Sequence, residues 1–152
     1  MLSLIAVLLA QATPGAAACA RTDAALPRGL AGWNARGASL DSGKAVSMPA
    51  VDPASVTLVG VPKPSKPGNA LAASFMVRTA GTYGIAIGSR GWIDVYPAVG
   101  GRTALTSSTH GHGPACSTIA KIVRYRLQPG AYRVLVSGVE GRTEKLMLVK
   151  GD

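Results

Sequence analysis

The sequence predicts an all-β fold, an antiparallel β-sandwich of jelly-roll-like form, behind an N-terminal signal peptide. Two observations predict the sandwich. From Leu71 onward, short runs rich in β-branched and aromatic residues follow one another, each ended by Gly, Pro or Ser, at the spacing of about 8–12 residues typical of all-β domains. No helical periodicity lies between them, which argues against a parallel sheet with crossover helices. A third observation predicts export: residues 2–9 are nearly all Leu, Ile, Val and Ala, and Ala16, Ala17 and Ala18 follow a polar break, the layout of an apolar signal core and its small-residue cleavage site. A chain of 152 residues has room for one domain and one core, so a separate cofactor domain is excluded.

Taken in order, residues 1–18 read as the signal peptide. The stretch falls short of the roughly 20 apolar residues a bilayer span needs, so no transmembrane segment is expected. Cleavage after Ala18 would leave Cys19 first. Two fates compete for it. A lipoprotein signal favours Leu three residues before the cysteine, where this chain has Ala16. The plainer reading pairs Cys19 with Cys116, the only other cysteine, as expected in an oxidising compartment such as the periplasm. On the chain-entropy model, closing a loop of about 100 residues stabilises a fold by about 4–5 kcal/mol.

Residues 19–69 form a Pro-, Gly- and Ala-rich segment expected to pack on the domain, with the main strands in residues 70–152. Pro27, Pro49, Pro53, Pro62, Pro64 and Pro67 exclude long helices from the first part. Residues 44–48 and 55–61 remain as short extended pieces, and 62–68 as a stiff, solvated connection. Strands are expected over 75–78, 83–87, 92–96, 103–106, 119–127, 132–136 and 144–149. In the fifth of these, Ile119, Val123, Tyr125 and Leu127 alternate with Arg124 and Arg126, interrupted by Lys121, as in a half-buried antiparallel strand.

Residues 75–87 and 125–136 echo each other: a strand, a turn carrying Gly, then Gly-x-Tyr and a second strand. The element resembles the Gly-x-Tyr hairpins of jelly-roll carbohydrate-binding and peptidase-associated β-sandwich domains, a likeness that bears on fold alone.

The formal charge is +9, from 16 Lys and Arg against 7 Asp and Glu, and none of it lies in residues 1–18. Such a field favours an anionic glycan or a lipid headgroup surface. Nucleic acid is disfavoured, because the basic residues form no run of three and the few aromatics are dispersed. Catalytic signatures are missing as well. Gly88-Ser89-Arg90-Gly91 is not a nucleophile elbow, no phosphate-binding loop occurs, and seven acids leave little for a catalytic pair. The sequence therefore points to an exported, envelope-associated binding or structural module rather than an enzyme.

One stretch has its own chemistry: His110-Gly111-His112-Gly113-Pro114-Ala115-Cys116. Residues two apart in an extended segment share a face, so the two imidazoles can begin a Zn, Cu or Fe site. Asp94 is the best carboxylate to join His110 and His112; Glu140, Glu144, Met48, Met76 and Met147 are the further options. The competing reading is a tight loop shaped by Gly111, Gly113 and Pro114 and anchored by a Cys19–Cys116 bridge.

The stretches Gly91-Trp92-Ile93-Asp94-Val95, His110 to Cys116 and Leu127-Gln128-Pro129-Gly130-Ala131-Tyr132 look like those of small exported alphaproteobacterial proteins of the sphingomonad type. Some of these carry the label homogentisate 1,2-dioxygenase, and His112-Gly113-Pro114 is similar to a local motif of that iron enzyme. The resemblance would imply an iron site of two His and one Glu. Only His112 and His110 are available to match it, with no corresponding Glu, and the dioxygenase is a far larger cupin-type oligomer.

Overall fold

The computed structural model describes residues 18–57, 61–64 and 66–151. The signal peptide expected over 1–18 therefore lies outside the described residues but for Ala18. The described residues form eight strands: β1 (Val46–Pro49), β2 (Asn69–Val77), β3 (Gly81–Ile87), β4 (Trp92–Pro97), β5 (Thr109–Gly111), β6 (Lys121–Leu127), β7 (Gly130–Val139) and β8 (Thr143–Lys150). They form a five-stranded sheet in the order β1-β8-β3-β6-β5 and a three-stranded sheet in the order β2-β7-β4. Every pairing between strands is antiparallel. The fold is the antiparallel β-sandwich that the strand pattern predicts.

Alternation along each strand decides what lies between the sheets. Tyr83, Ile85 and Ile87 of β3, Val123, Tyr125 and Leu127 of β6, and Leu146 and Leu148 of β8 face Phe75, Val77, Ile93, Val95, Val134 and Val136 of the smaller sheet. The other face of the five-stranded sheet is apolar too. Ala86, Ile122, Met147 and Val149 emerge there and are covered by Leu30 and Trp33 from a 3-10 helix, Arg28–Asn34. Trp33 is only 1% exposed. The segment is folded tightly on itself and on the sheet, since a side chain at Gly32 would begin 1.9 Å from the Gly43 carbonyl oxygen and 3.2 Å from Met147 Sδ of β8.

The internal echo is a local pseudo-two-fold relation. Phe75 of β2 pairs with Tyr132 of β7, and the equivalent Tyr125 of β6 pairs with Tyr83 of β3. Val77 opposite Gly130 is likewise matched by Leu127 opposite Gly81. The repeated units are not hairpins, because β2 and β3 belong to different sheets, as do β6 and β7. Each is a corner that carries the chain across the sandwich. In both, the tyrosine closes its own corner: Tyr83 Oη donates to the Thr79 carbonyl (2.7 Å) and Tyr132 Oη to that of Gln128 (2.9 Å).

Two expected strands and one expected extended piece depart from the structure. Residues 103–106 form no strand, because the chain is crossing between sheets there. Leu105 N–H donates to the Val95 carbonyl beside β4, and by Ser108 the backbone bonds to Arg124 in the other sheet. The extended piece expected over 55–61 starts in a 3-10 turn, Pro53–Ser55, whose Ala54 N–H is taken by the Asp52 carboxylate at 2.8 Å. Its residues 58–60 lie outside the described residues. Finally, β2 begins six residues before the expected 75, in an Ala-rich run whose strand state comes from pairing with β7 rather than from β-branched residues.

Candidate functional site

The His110 to Cys116 stretch runs from the edge strand β5 into a latched loop. Cys19 and Cys116 are joined, with S–S 2.05 Å and Cα–Cα 5.4 Å. A bridged Cys19 has no thiol free for acylation. Asp23 N–H donates to the Cys116 carbonyl (2.9 Å), and the Asp23 carboxylate accepts from Thr118 N–H (2.7 Å) and Thr118 Oγ1 (2.5 Å). Trp33 Nε1 completes the relay by donating to Thr118 Oγ1 at 2.8 Å. Inside the loop, Ser117 Oγ donates to the Pro114 carbonyl. Of the two glycines, Gly113 is the obligatory one. A Cβ there would stand 2.1 Å from the Ile119 carbonyl oxygen, whereas Gly111 has open space around it.

Both histidines are exposed. His110 is paired with Val123, a residue of the interior layer. His112 lies beyond the end of β5 and lines a 530 Å³ cavity with Leu30, Ile122, Arg124, Val149 and Lys150. Its charged neighbours in that cavity are cations. Asp94 lies on β4 of the other sheet, where its Oδ1 accepts from Trp92 Nε1 at 3.0 Å. Met76 is exposed on β2, Met147 is buried beneath Trp33, and Met48 packs at the edge of the main core. Among the described residues, no three His, Cys, Asp or Glu side chains gather in a way that could hold a metal ion.

A second polar centre lies at the turn between β3 and β4. Glu144 is 2% exposed. Its Oε1 accepts from Gly88 N–H and Lys145 N–H, both at 3.0 Å, and its Oε2 from Ser89 Oγ. Ser89 Oγ in turn accepts from Gly91 N–H at 3.1 Å. A 730 Å³ cavity opens beside it, lined by Arg90, Glu140, Thr143 and Lys145 among others. Neither histidine lines that cavity, so Ser89 has a carboxylate partner but no imidazole base. The arrangement holds the turn in place.

No protein-family model matches the chain, and no curated protein matches it. Among solved structures it is similar to the pre-peptidase C-terminal domain of a collagenase from Bacillus anthracis. The two are 12% identical, the match covers 74% of this chain and 91% of that one, and the TM-score is 0.40. At that score the likeness carries no argument about ligand or activity.

The turn that Glu144 fixes delivers Trp92, the first residue of β4, an edge strand of the smaller sheet. Ile93 and Val95 face inward, so Trp92 and Asp94 share the outer face. Trp92 is 51% exposed. Lys66 Nζ stands 4.8 Å from its ring centroid and Lys121 Nζ 5.7 Å. Lys121 Nζ also donates to the Gly91 carbonyl at 2.9 Å, tying the start of β6 to the opposite sheet. Behind the strand, Tyr125 Oη donates to the Ile93 carbonyl at 3.1 Å. Burial, and after it the negative charge of Asp94, pushes the Tyr125 hydroxyl well above the ordinary phenol range; the same two causes raise Tyr96.

Sequence reasoning passed over the Trp92 cluster because its two lysines come from positions 26 residues before it and 29 after it in the chain. Only the Trp92-x-Asp94 spacing was a local signal. Glu144, by sequence one of the options for a metal ligand, holds a turn that nothing near it in the sequence marks.

Proposed function

We propose that the protein is an exported, non-catalytic β-sandwich module of the periplasm or cell envelope that binds an anionic glycan through its basic surface. The observation that carries this reading is the excess of cations over carboxylates. The chain has 16 Lys and Arg against 7 Asp and Glu. Asp23, Asp52, Asp94 and Glu144, four of those seven, accept hydrogen bonds from amide, hydroxyl or indole donors. Seven carboxylates, wherever they are bonded, leave a formal charge of +9 on the chain, and such a field favours an anionic partner. The Cys19–Cys116 bridge supports an oxidising compartment. No helix of the described residues is long and apolar enough to cross a membrane.

Native gel electrophoresis through polygalacturonate tests the reading. The protein should be retarded by the polyanion and not by neutral dextran, and the retardation should fade as salt is added. Equal migration in both gels would refute it, and so would association with phosphatidylglycerol vesicles alone.

A further inference from the structure

We infer that Trp92, Lys66 and Lys121 form the contact site for an acidic pyranose of such a glycan, the indole face taking the sugar ring and the ammonium groups its carboxylate or sulfate. The inference rests on the glycan-binding reading and gives it a place on the molecule.

Trp92 is the anomaly that points there. The other tryptophan, Trp33, is 1% exposed and packed beneath a covering segment, whereas Trp92 leaves 51% of its surface in solvent. An indole is a large apolar group, and leaving it half exposed forgoes the stabilisation that burial would bring. Nor does it hang loosely. Its Nε1 is held by Asp94 at 3.0 Å, two residues along the same face of a paired strand, so little side-chain freedom is left to lose on binding. The site is a fixed flat platform.

The cations beside it select the ligand's charge. Lys121 is anchored by the Gly91 carbonyl at 2.9 Å. Lys66 comes from the Pro-rich connection; its Cβ stands 3.5 Å from the position a Gly138 Cβ would take, so the connection passes close against β7. Both ammonium groups stand over the ring within 6 Å of its centroid, the range of a cation–π contact, so a sugar that takes a ring face must draw the lysine there aside onto its own carboxylate or sulfate. The one carboxylate bonded to the platform, Asp94, accepts from the indole itself. A neutral sugar could use the ring face but would leave the two cations with Asp94 as their one counter-charge on the platform. A pyranose bearing a carboxylate or sulfate satisfies both features.

A bilayer is the weaker match. Among the described residues, the other exposed large apolar side chains are Val51, Met76 and Val99. Met76 stands on β2, across β7 from Trp92, and neither Val51 nor Val99 belongs to a strand. A single indole between two lysines suits one sugar ring better than a layer of acyl chains.

The test is calorimetric titration of the purified protein with a short oligogalacturonate, a sulfated oligosaccharide, a neutral malto-oligosaccharide and phosphatidylglycerol vesicles. Variants Trp92→Ala, Trp92→Phe and Lys66→Ala/Lys121→Ala are compared. Wild type should bind one of the acidic oligosaccharides and not the neutral one. Trp92→Ala and the double lysine variant should each weaken that binding by about tenfold or more, while Trp92→Phe keeps part of it. Acidic ligand should also shield Trp92 from a fluorescence quencher, a readout to which buried Trp33 contributes little. If wild type binds an acidic oligosaccharide and all three variants bind it equally well, the site assignment is overturned while the glycan reading stands. If wild type binds neither acidic oligosaccharide, or binds vesicles alone, both fall.

Discussion

Asp23 and Thr118, 95 residues apart, are joined twice: one carboxylate oxygen takes the Thr118 amide and the other its hydroxyl. The contact stitches the N-terminal covering segment to the loop that follows His112, and it lies on one hydrogen-bonded path with Trp33. Asp23 also adopts a left-handed backbone, φ 59°, which an Asp tolerates better than most residues. Asp23→Ala should therefore cost about 1–2 kcal/mol in urea unfolding, and Asp23→Asn less, since the amide keeps one acceptor. An Asp23→Ala midpoint equal to wild type would show that the latch does not contribute to stability.

The disulfide acts on the same loop through the unfolded chain. It links positions separated by 97 residues, and the chain-entropy model assigns such a closure about 4–5 kcal/mol. The Cys19→Ala/Cys116→Ala variant should unfold at markedly lower denaturant than the oxidised protein and should not respond to reductant. If reductant leaves the wild-type midpoint in place, the bridge is not present in the folded protein.

Glu144 should be the costliest polar residue to remove. Its carboxylate satisfies two amides and a hydroxyl in a buried setting. Glu144→Ala leaves those donors unpaired and should cost about 2–4 kcal/mol. Glu144→Gln keeps an acceptor for the amides and should cost less than half as much. Equal midpoints for the two variants would contradict the role given to the carboxylate.

Tyr125 predicts an alkaline limb. Its folded-state pKa is raised above the ordinary 10.0 by burial and then by the Asp94 charge. The folded state therefore holds its proton after the unfolded state has lost it. Stability is complete below about pH 10 and falls as pH rises beyond it. Tyr125→Phe should flatten that limb, at a cost of about 1 kcal/mol at neutral pH for the lost bond to the Ile93 carbonyl. The phenolate absorbance should likewise appear late for this tyrosine in the folded protein. A wild type and a Tyr125→Phe variant with identical alkaline limbs would rule the explanation out.

What could be read from the sequence was whatever is local. Alternation along 119–127 and the Gly-x-Tyr echo located strands and corners because strand periodicity and turn chemistry act over a few residues. The same echo misled about pairing: a strand, a tight turn and a second strand read as a hairpin, and only the register shows each unit crossing from sheet to sheet. Leu105 packs against the core like a strand residue yet has one backbone bond to β4, a distinction hydrophobicity does not encode. His110 and His112 are two apart with the end of β5 between them, and of the two it is His112 that lines the cavity beside Arg124 and Lys150. The Trp92 cluster, with Lys66 and Lys121 brought in from both sides, depends wholly on tertiary placement.

A basic surface, from 16 Lys and Arg against 7 Asp and Glu, should meet an anionic glycan. The most direct measurement is the affinity of the protein for oligogalacturonate across a series of salt concentrations. The account predicts measurable binding at low ionic strength that weakens steadily as screening shortens the reach of the lysines and arginines. An affinity unchanged by salt, or no binding at the lowest salt, would contradict it.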